Sequence, residues 1–198
     1  MADFKAVIKH LEARGYTVSS FESGTEAAAY LDQKIDGMTV GIGGSATIKD
    51  IGAYALLKTH NDVYWHWEQE ADTARLNAMQ TDIYLTSANA LAETGEIVNI
   101  DGKGNRVSST LFGHKKVYFV IGANKVTETY DKAVWRARNI ASPARAHQMN
   151  AQTPCAVKID RCYDCSSPGR ICRGLVTLWA PMFGMEAEVI LINEALGL

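Results

Sequence analysis

Apolar positions Phe4, Val7, Ile8 and Leu11 recur at helical spacing and predict a first helix over residues 2–14, closed by Gly15. Residues 16–21 read as a strand. Ser23 then caps a helix to Lys34, with Ala27, Ala28, Tyr30 and Leu31 facing inward. The alternation continues with a strand over 38–42 that breaks at Gly43-Gly44, a helix over 47–58 and a strand over 63–67. A helix over 72–80 and a strand over 83–86 follow.

Residues 97–100 and 106–108 flank Asp101-Gly102-Lys103-Gly104-Asn105, a hairpin-like turn. The run V-Y-F-V-I over 117–121 is continuously apolar, as in a strand covered on both faces. Tyr130, Val134, Ala137 and Ile140 mark a helix to Asn139, and Ser142-Pro143 opens another. Strands over 175–179 and 188–192 close the chain. Alternating strands and helices with short links predict an α/β domain with a doubly wound, mostly parallel sheet. Neither a linker nor a repeat divides the 198 residues, so one domain over 1–198 is expected, with a cysteine-bearing segment at 153–173.

Composition adds little: 47% hydrophobic, 21% charged, and a net charge of −2 that favours neither nucleic acid nor an anionic membrane as partner. No apolar run suits a signal peptide or a membrane span, so a cytoplasmic protein is expected. The charge is uneven, however. Between Lys132 and Arg173 stand eight Lys/Arg against only Asp160 and Asp164. This reads either as a solvated face or as a counterweight to a bound anion.

All four cysteines, Cys155, Cys162, Cys165 and Cys172, fall in that stretch with C-x6-C-x2-C-x6-C spacing. A segment so rich in Pro, Gly, Ser and Asp builds no apolar core, and a metal would fold it. Soft thiolates suit zinc or an iron–sulfur cluster. One CxxC pair with two outlying cysteines favours the cluster, [4Fe–4S] first, over zinc and over a thiol redox pair. Four thiolate ligands would suit electron transfer, whereas three would leave an iron open as a Lewis acid.

A second motif is V-G-I-G-G-S-A-T-I at 40–48. A strand running through glycines into a helix offers free N–H groups to an anion, here Gly43, Gly44, Ser45 and Thr47. A small anion is preferred to a ligand-free turn, and to a nucleotide held by the loose G-x-G-x-x-A match at Gly41, Gly43 and Ala46. The third motif, T-S-A-N-A-L-A-E-T-G-E-I at 86–97, follows a strand end. Ser87 and Asn89 there are candidate ligand contacts. Glu93 reads first as an exposed loop acid, and its place near Thr94-Gly95 also suits a base or nucleophile. The five histidines have no metal-ligand spacing, and Trp65-His66-Trp67 reads as part of a strand.

With these motifs placed, the chain resembles the lactate-utilisation (LUD) domain family, through V-G-I-G-G-S-A-T-I, A-E-T-G-E-I-V at 92–98 and A-R-N-I-A-S-P-A-R-A from Ala137. The ending T-P-C-A…C-x-D-C-x-S-P-x-R-I-C is similar to the stand-alone branch with a C-terminal cysteine box. The resemblance implies a Rossmann-like, three-layer fold of the sugar-phosphate isomerase and CoA-transferase type. It also implies a phosphate- or carboxylate-holding turn at Gly43–Thr47 and a glutamate role at Glu93. Family members are linked to lactate oxidation in iron–sulfur complexes. The expected function is therefore action on, or electron relay from, a small carboxylate such as a hydroxy acid, with a redox partner protein. Alternatives are a non-catalytic subunit stapled by zinc or a cluster, a cluster-dependent lyase or hydratase, and an isomerase or transferase. Self-association stays open.

Overall fold

The computed structural model describes residues 3–198, so Ala2, the expected start of the first helix, lies outside the described residues. The chain begins α1 (Lys5–Ala13), β1 (Thr17–Phe21), α2 (Gly24–Lys34), β2 (Thr39–Ile42), α3 (Ala46–Asp50), α4 (Ala53–Leu57), β3 (Asp62–Trp65), α5 (Ala71–Ala78) and β4 (Ile83–Thr86). It continues β5 (Ala90–Ala92), β6 (Ile97–Asp101), α6 (Asn105–Ser109), β7 (Lys116–Gly122), β8 (Val126–Thr127) and α7 (Tyr130–Arg136). The last elements are α8 (Ser142–Gln148), α9 (Pro154–Lys158), β9 (Gly174–Leu178) and β10 (Glu186–Ile192).

Six strands pair in the order β1-β10-β7-β4-β2-β3, every pair parallel. The expected α/β architecture with a parallel sheet is therefore present. The continuous apolar run of β7 explains its inner place, because it feeds both faces. Tyr118 and Val120 join the core under α2, α3 and α4, while Val117, Phe119 and Ile121 join the core under α1. Each such buried Val or Ile contributes roughly 1.5–3 kcal/mol.

Ser23 caps α2 as expected, its hydroxyl accepting from Glu26 N–H at 3.2 Å. The helix expected over 47–58 is instead two short ones. Gly52 between them adopts φ 71°, a left-handed conformation that ends α3.

The expected hairpin is not formed. The Asp101 carboxylate accepts from the N–H groups of Lys103 and Gly104, and Gly104 (φ 85°) turns the chain into α6 rather than back along β6. β6 pairs instead with β5 and β9, antiparallel to each, in a second sheet of order β8-β5-β6-β9. That sheet shares the α1 core through Leu91, Ile97 and Leu178, and its other face is covered by Ala133 and Ala137.

The helix expected to stop at Asn139 continues to Gln148. A π-helical stretch, Ala137–Ala141, joins α7 to α8 and accommodates Pro143, which has no N–H to give a regular turn. Ser142 is therefore no cap; its hydroxyl donates to the Ala137 carbonyl at 2.8 Å. No helix among the described residues is long and apolar enough to cross a membrane.

Candidate functional site

β2, β4 and β7 lie side by side, and the loops leaving their carboxyl ends meet at one pocket of about 440 Å³. This is where open parallel sheets hold ligands. Gly44 and Ser45 come from the first loop, Ser87 and Asn89 from the second, and Lys125 from the third. The second sheet and its neighbours add Arg106, Arg145, Arg170 and Arg173, with Arg75 and Lys103 at the rim. Among the described residues, Asp101 is the one acidic side chain in the lining.

Four of these cations, Lys125, Arg145, Arg170 and Arg173, have no carboxylate in an ion pair among the described residues. Arg75 and Lys103 share Asp72, at 2.7 and 3.6 Å. Arg106 is anchored more deeply. It donates to the Ile100 carbonyl at 2.7 Å and to the Asn99 side chain, and lies 3.5 Å from Asp101. Burial lowers its pKa, and Asp101 opposes that effect.

Lys125 is the least expected member. It is only 3% exposed, and its ammonium donates to Thr47 Oγ1 at 2.7 Å and Ser87 Oγ at 3.0 Å. Burial, then repulsion by Arg136 and Arg106, lowers its pKa to about 7. His66, also in the lining, is pushed down to about 4 by burial and by Arg75, Arg145 and Lys103.

Of the expected anion-turn residues, Gly44 and Ser45 line the pocket, whereas Gly43 and Thr47 do not. Ser45 spends its hydroxyl accepting from Ile48 N–H, and Thr47 is fully buried beneath Lys125. Gly43 does not line the pocket. A Cβ there would lie 2.9 Å from Tyr84 Oη and 3.1 Å from Arg106 Cγ, so the glycine lets Arg106 pack. Gly41 answers a similar need, since its Cβ would meet the Ala78 carbonyl at 2.4 Å. The turn builds the wall, and the cations supply the charge.

A second pocket, of about 280 Å³, adjoins the first and shares Ile100, Ser142, Arg170 and Arg173 with it. Cys155, Cys162 and Cys172 line it; Cys165 does not. Each sulfur has a polar partner. Thr153 Oγ1 lies 3.4 Å from Cys155 Sγ, and Asp164 N–H donates to Cys162 Sγ at 3.3 Å. Ser167 bonds lower the Cys165 pKa, and Arg170 bonds Cys172. The thiols are free, and among the described residues no three His, Cys, Asp or Glu side chains converge on one ion. Among the described residues, the three non-glycine residues with positive φ, Asn150, Ile159 and Asp164, fall in or just before this segment. For a β-branched residue such as Ile159 that conformation is strained.

Residues 4–192 match the family model described as the LUD domain. The chain belongs to the LUD domain family. A solved structure, a DUF162 family protein from Deinococcus radiodurans, matches this LUD domain with a TM-score of 0.55 at 14% identity, over 98% of this chain and 100% of that one. That likeness concerns the fold. No curated protein matches this LUD domain.

Glu93 of the LUD domain lines neither pocket. Its N–H donates to the Thr127 carbonyl, and its carbonyl accepts from His10, which tie the loop to β8 and α1. The sequence reading missed Lys125, Arg106 and His66. A signal for Lys125 existed, because it follows the end of β7 as Ser87 follows β4. Arg145, Arg170 and Arg173 were visible as a basic stretch, but not as residues of one pocket.

Proposed function

We propose that this LUD domain binds a small carboxylate, such as a hydroxy acid, in the cationic pocket and holds an iron–sulfur cluster in the adjoining cysteine segment. The observation carrying this reading is the wall common to both pockets, where Arg170 and Arg173 face the anion site and the cysteines together. Pocket cations without carboxylate partners, of which Lys125 is buried and Arg145 and Arg170 half-buried, favour an anionic ligand, since each charge-assisted hydrogen bond it makes contributes about 1.5–3 kcal/mol.

The cysteine spacing, one CxxC pair with two outlying cysteines, supports a cluster over a single zinc ion. A cluster spreads its irons, so thiolates set around a cavity suit it. Cys155, Cys162 and Cys172 would hold it, with Cys165 next to them, and N–H donation to Cys162 together with nearby guanidiniums would offset its negative charge. When bound, the cluster supplies electron transfer or, with three protein ligands, a Lewis-acidic iron. The chain's own contribution is to fix the carboxylate on arginines beside it. The all-parallel sheet also supports the finer expectation of a Rossmann-like layout akin to sugar-phosphate isomerases and CoA-transferases.

Anaerobic purification with iron, sulfide and zinc analysis tests the cluster, and calorimetry with lactate and oxalate tests the pocket. About four irons per chain with matching sulfide are expected, together with binding that weakens in salt. Stoichiometric zinc in a colourless protein would sink the first half, and no heat from either acid the second.

A further inference from the structure

A buried amine at the end of a parallel strand, in a pocket already supplied with permanent cations, needs its own account. Binding an anion does not require Lys125. Arg106, Arg145, Arg170 and Arg173 carry charge at every physiological pH and present forked donors suited to carboxylate. Lys125 differs from them in two respects. It is almost fully enclosed, and both its side-chain hydrogen-bond partners among the described residues are hydroxyls, Thr47 and Ser87; like Arg145, Arg170 and Arg173 it has no carboxylate ion pair among those residues. The charged groups facing it are Arg136 from α7, Arg106 from α6 and Asp50 from α3, two cations against one acid. The Asp50 carboxylate also accepts from Gly197 N–H. Such surroundings disfavour an ammonium and favour a free amine.

We propose that Lys125 is a nucleophilic amine that forms an imine with a small 2-oxo acid, whose carboxylate the neighbouring arginines hold. The step needs no oxidant. The nitrogen lone pair forms an N–C bond to the carbonyl carbon, and the carbonyl π pair moves to oxygen, which takes a proton. Loss of that oxygen as water creates the C=N bond, so amine, carbonyl compound and one proton give an iminium ion and water. Ser87 and Thr47 hydroxyls, both on Nζ, are placed to pass the protons. A lowered lysine pKa beside other cations is a known means of making an amine nucleophilic. At pH 7 an amine of pKa about 7 is half neutral, whereas less than about a thousandth of an ordinary exposed lysine is.

This inference rests on the anion-pocket reading, and the experiment separates the two. The intact protein is treated with pyruvate and cyanoborohydride, with or without oxalate, which binds like a 2-oxo acid but offers no ketone. Peptide mass mapping then locates the adduct. Expected is one reduced adduct on Lys125, at least about tenfold above that on exposed Lys34, Lys58 or Lys103, suppressed by oxalate and half-maximal near pH 7. Adducts spread over exposed lysines, or none while oxalate still binds, would overturn the imine and leave the anion pocket standing. No binding of oxalate or pyruvate overturns both. Because the mapping is done on the unmodified chain, it does not depend on a folded Lys125 variant.

Discussion

Arg170 Nε donates to the Cys172 carbonyl at 3.0 Å while the same guanidinium lines the cationic pocket. Its Nη1 also donates to the Cys165 carbonyl at 2.7 Å. One side chain thus sets the backbone on either side of the cysteine turn and faces the proposed anion. Arg170→Gln should weaken oxalate binding about tenfold and lower the iron content at the same time. Calorimetry and iron analysis on one preparation check this. Loss of iron with unchanged oxalate affinity would show that the two pockets are not joined through Arg170.

Far from the pocket, Glu188 is buried between Lys116 (2.8 Å), Tyr30 (2.8 Å) and Ser19 (2.9 Å), joining β10 to β7, β1 and α2. Burial pushes its carboxyl up, but the three hydrogen bonds outweigh it and leave the pKa below the ordinary value. A depressed carboxyl stabilises the fold above its unfolded pKa, and that contribution disappears as pH falls through the lower folded value. Glu188→Ala, which strands Lys116, should cost about 3 kcal/mol at pH 7. Urea unfolding at pH 7 and pH 3 measures it, with a smaller difference expected at the lower pH.

His66 is neutral at physiological pH because burial and three cations hold its pKa at about 4. A bound dianion offsets Arg75, Arg145 and Lys103 and should pull that pKa upward, so binding takes up protons around pH 5. Calorimetry with oxalate in two buffers of different ionisation enthalpy reads the uptake. It should vanish in His66→Gln, while any uptake near pH 7–8, due to Lys125, remains. Buffer-independent heats at pH 5 in the native chain would exclude a ligand near His66.

Lys125 carries a stability cost that, like the Glu188 contribution, makes stability rise with pH, but in an alkaline rather than an acidic window. Its folded pKa is lowered to about 7, so the unfolded chain binds the extra proton between roughly pH 7 and 10.4, and stability rises with pH across that window. Lys125→Met should therefore be more stable than the native chain at pH 7, by about 1–3 kcal/mol after loss of two hydrogen bonds. The gap should close toward pH 10. Thermal unfolding across that range tests it, and a variant less stable at pH 7 would mean that the amine is held mainly for structure.

The β/α alternation was readable because each element carries its own record. Period-3.6 apolar residues in α1, a Ser cap on α2, and the unbroken run of β7 each reflect local burial or local backbone preference. The exceptions arise where a contact distant in sequence overrides a local signal. Asp101-Gly102 reads as a hairpin turn, but the edge of β6 is taken by β9, some 75 residues on, and Gly104 serves a helix instead. Gly41 and Gly43 look like a ligand-binding fingerprint, yet they clear space for Ala78, Tyr84 and Arg106.

The sequence by itself determined the family, the parallel α/β alternation, and the grouping of four cysteines within a basic, coreless segment. Tertiary structure alone decided that three strand ends and that segment line one pocket, and that Lys125 is enclosed there with hydroxyls for partners. The reason is one of range. Helix and strand patterns are written at spacings of two to four residues, whereas a pocket is assembled from side chains tens of residues apart. The protonation of an amine such as Lys125 follows from which charges the fold brings near it.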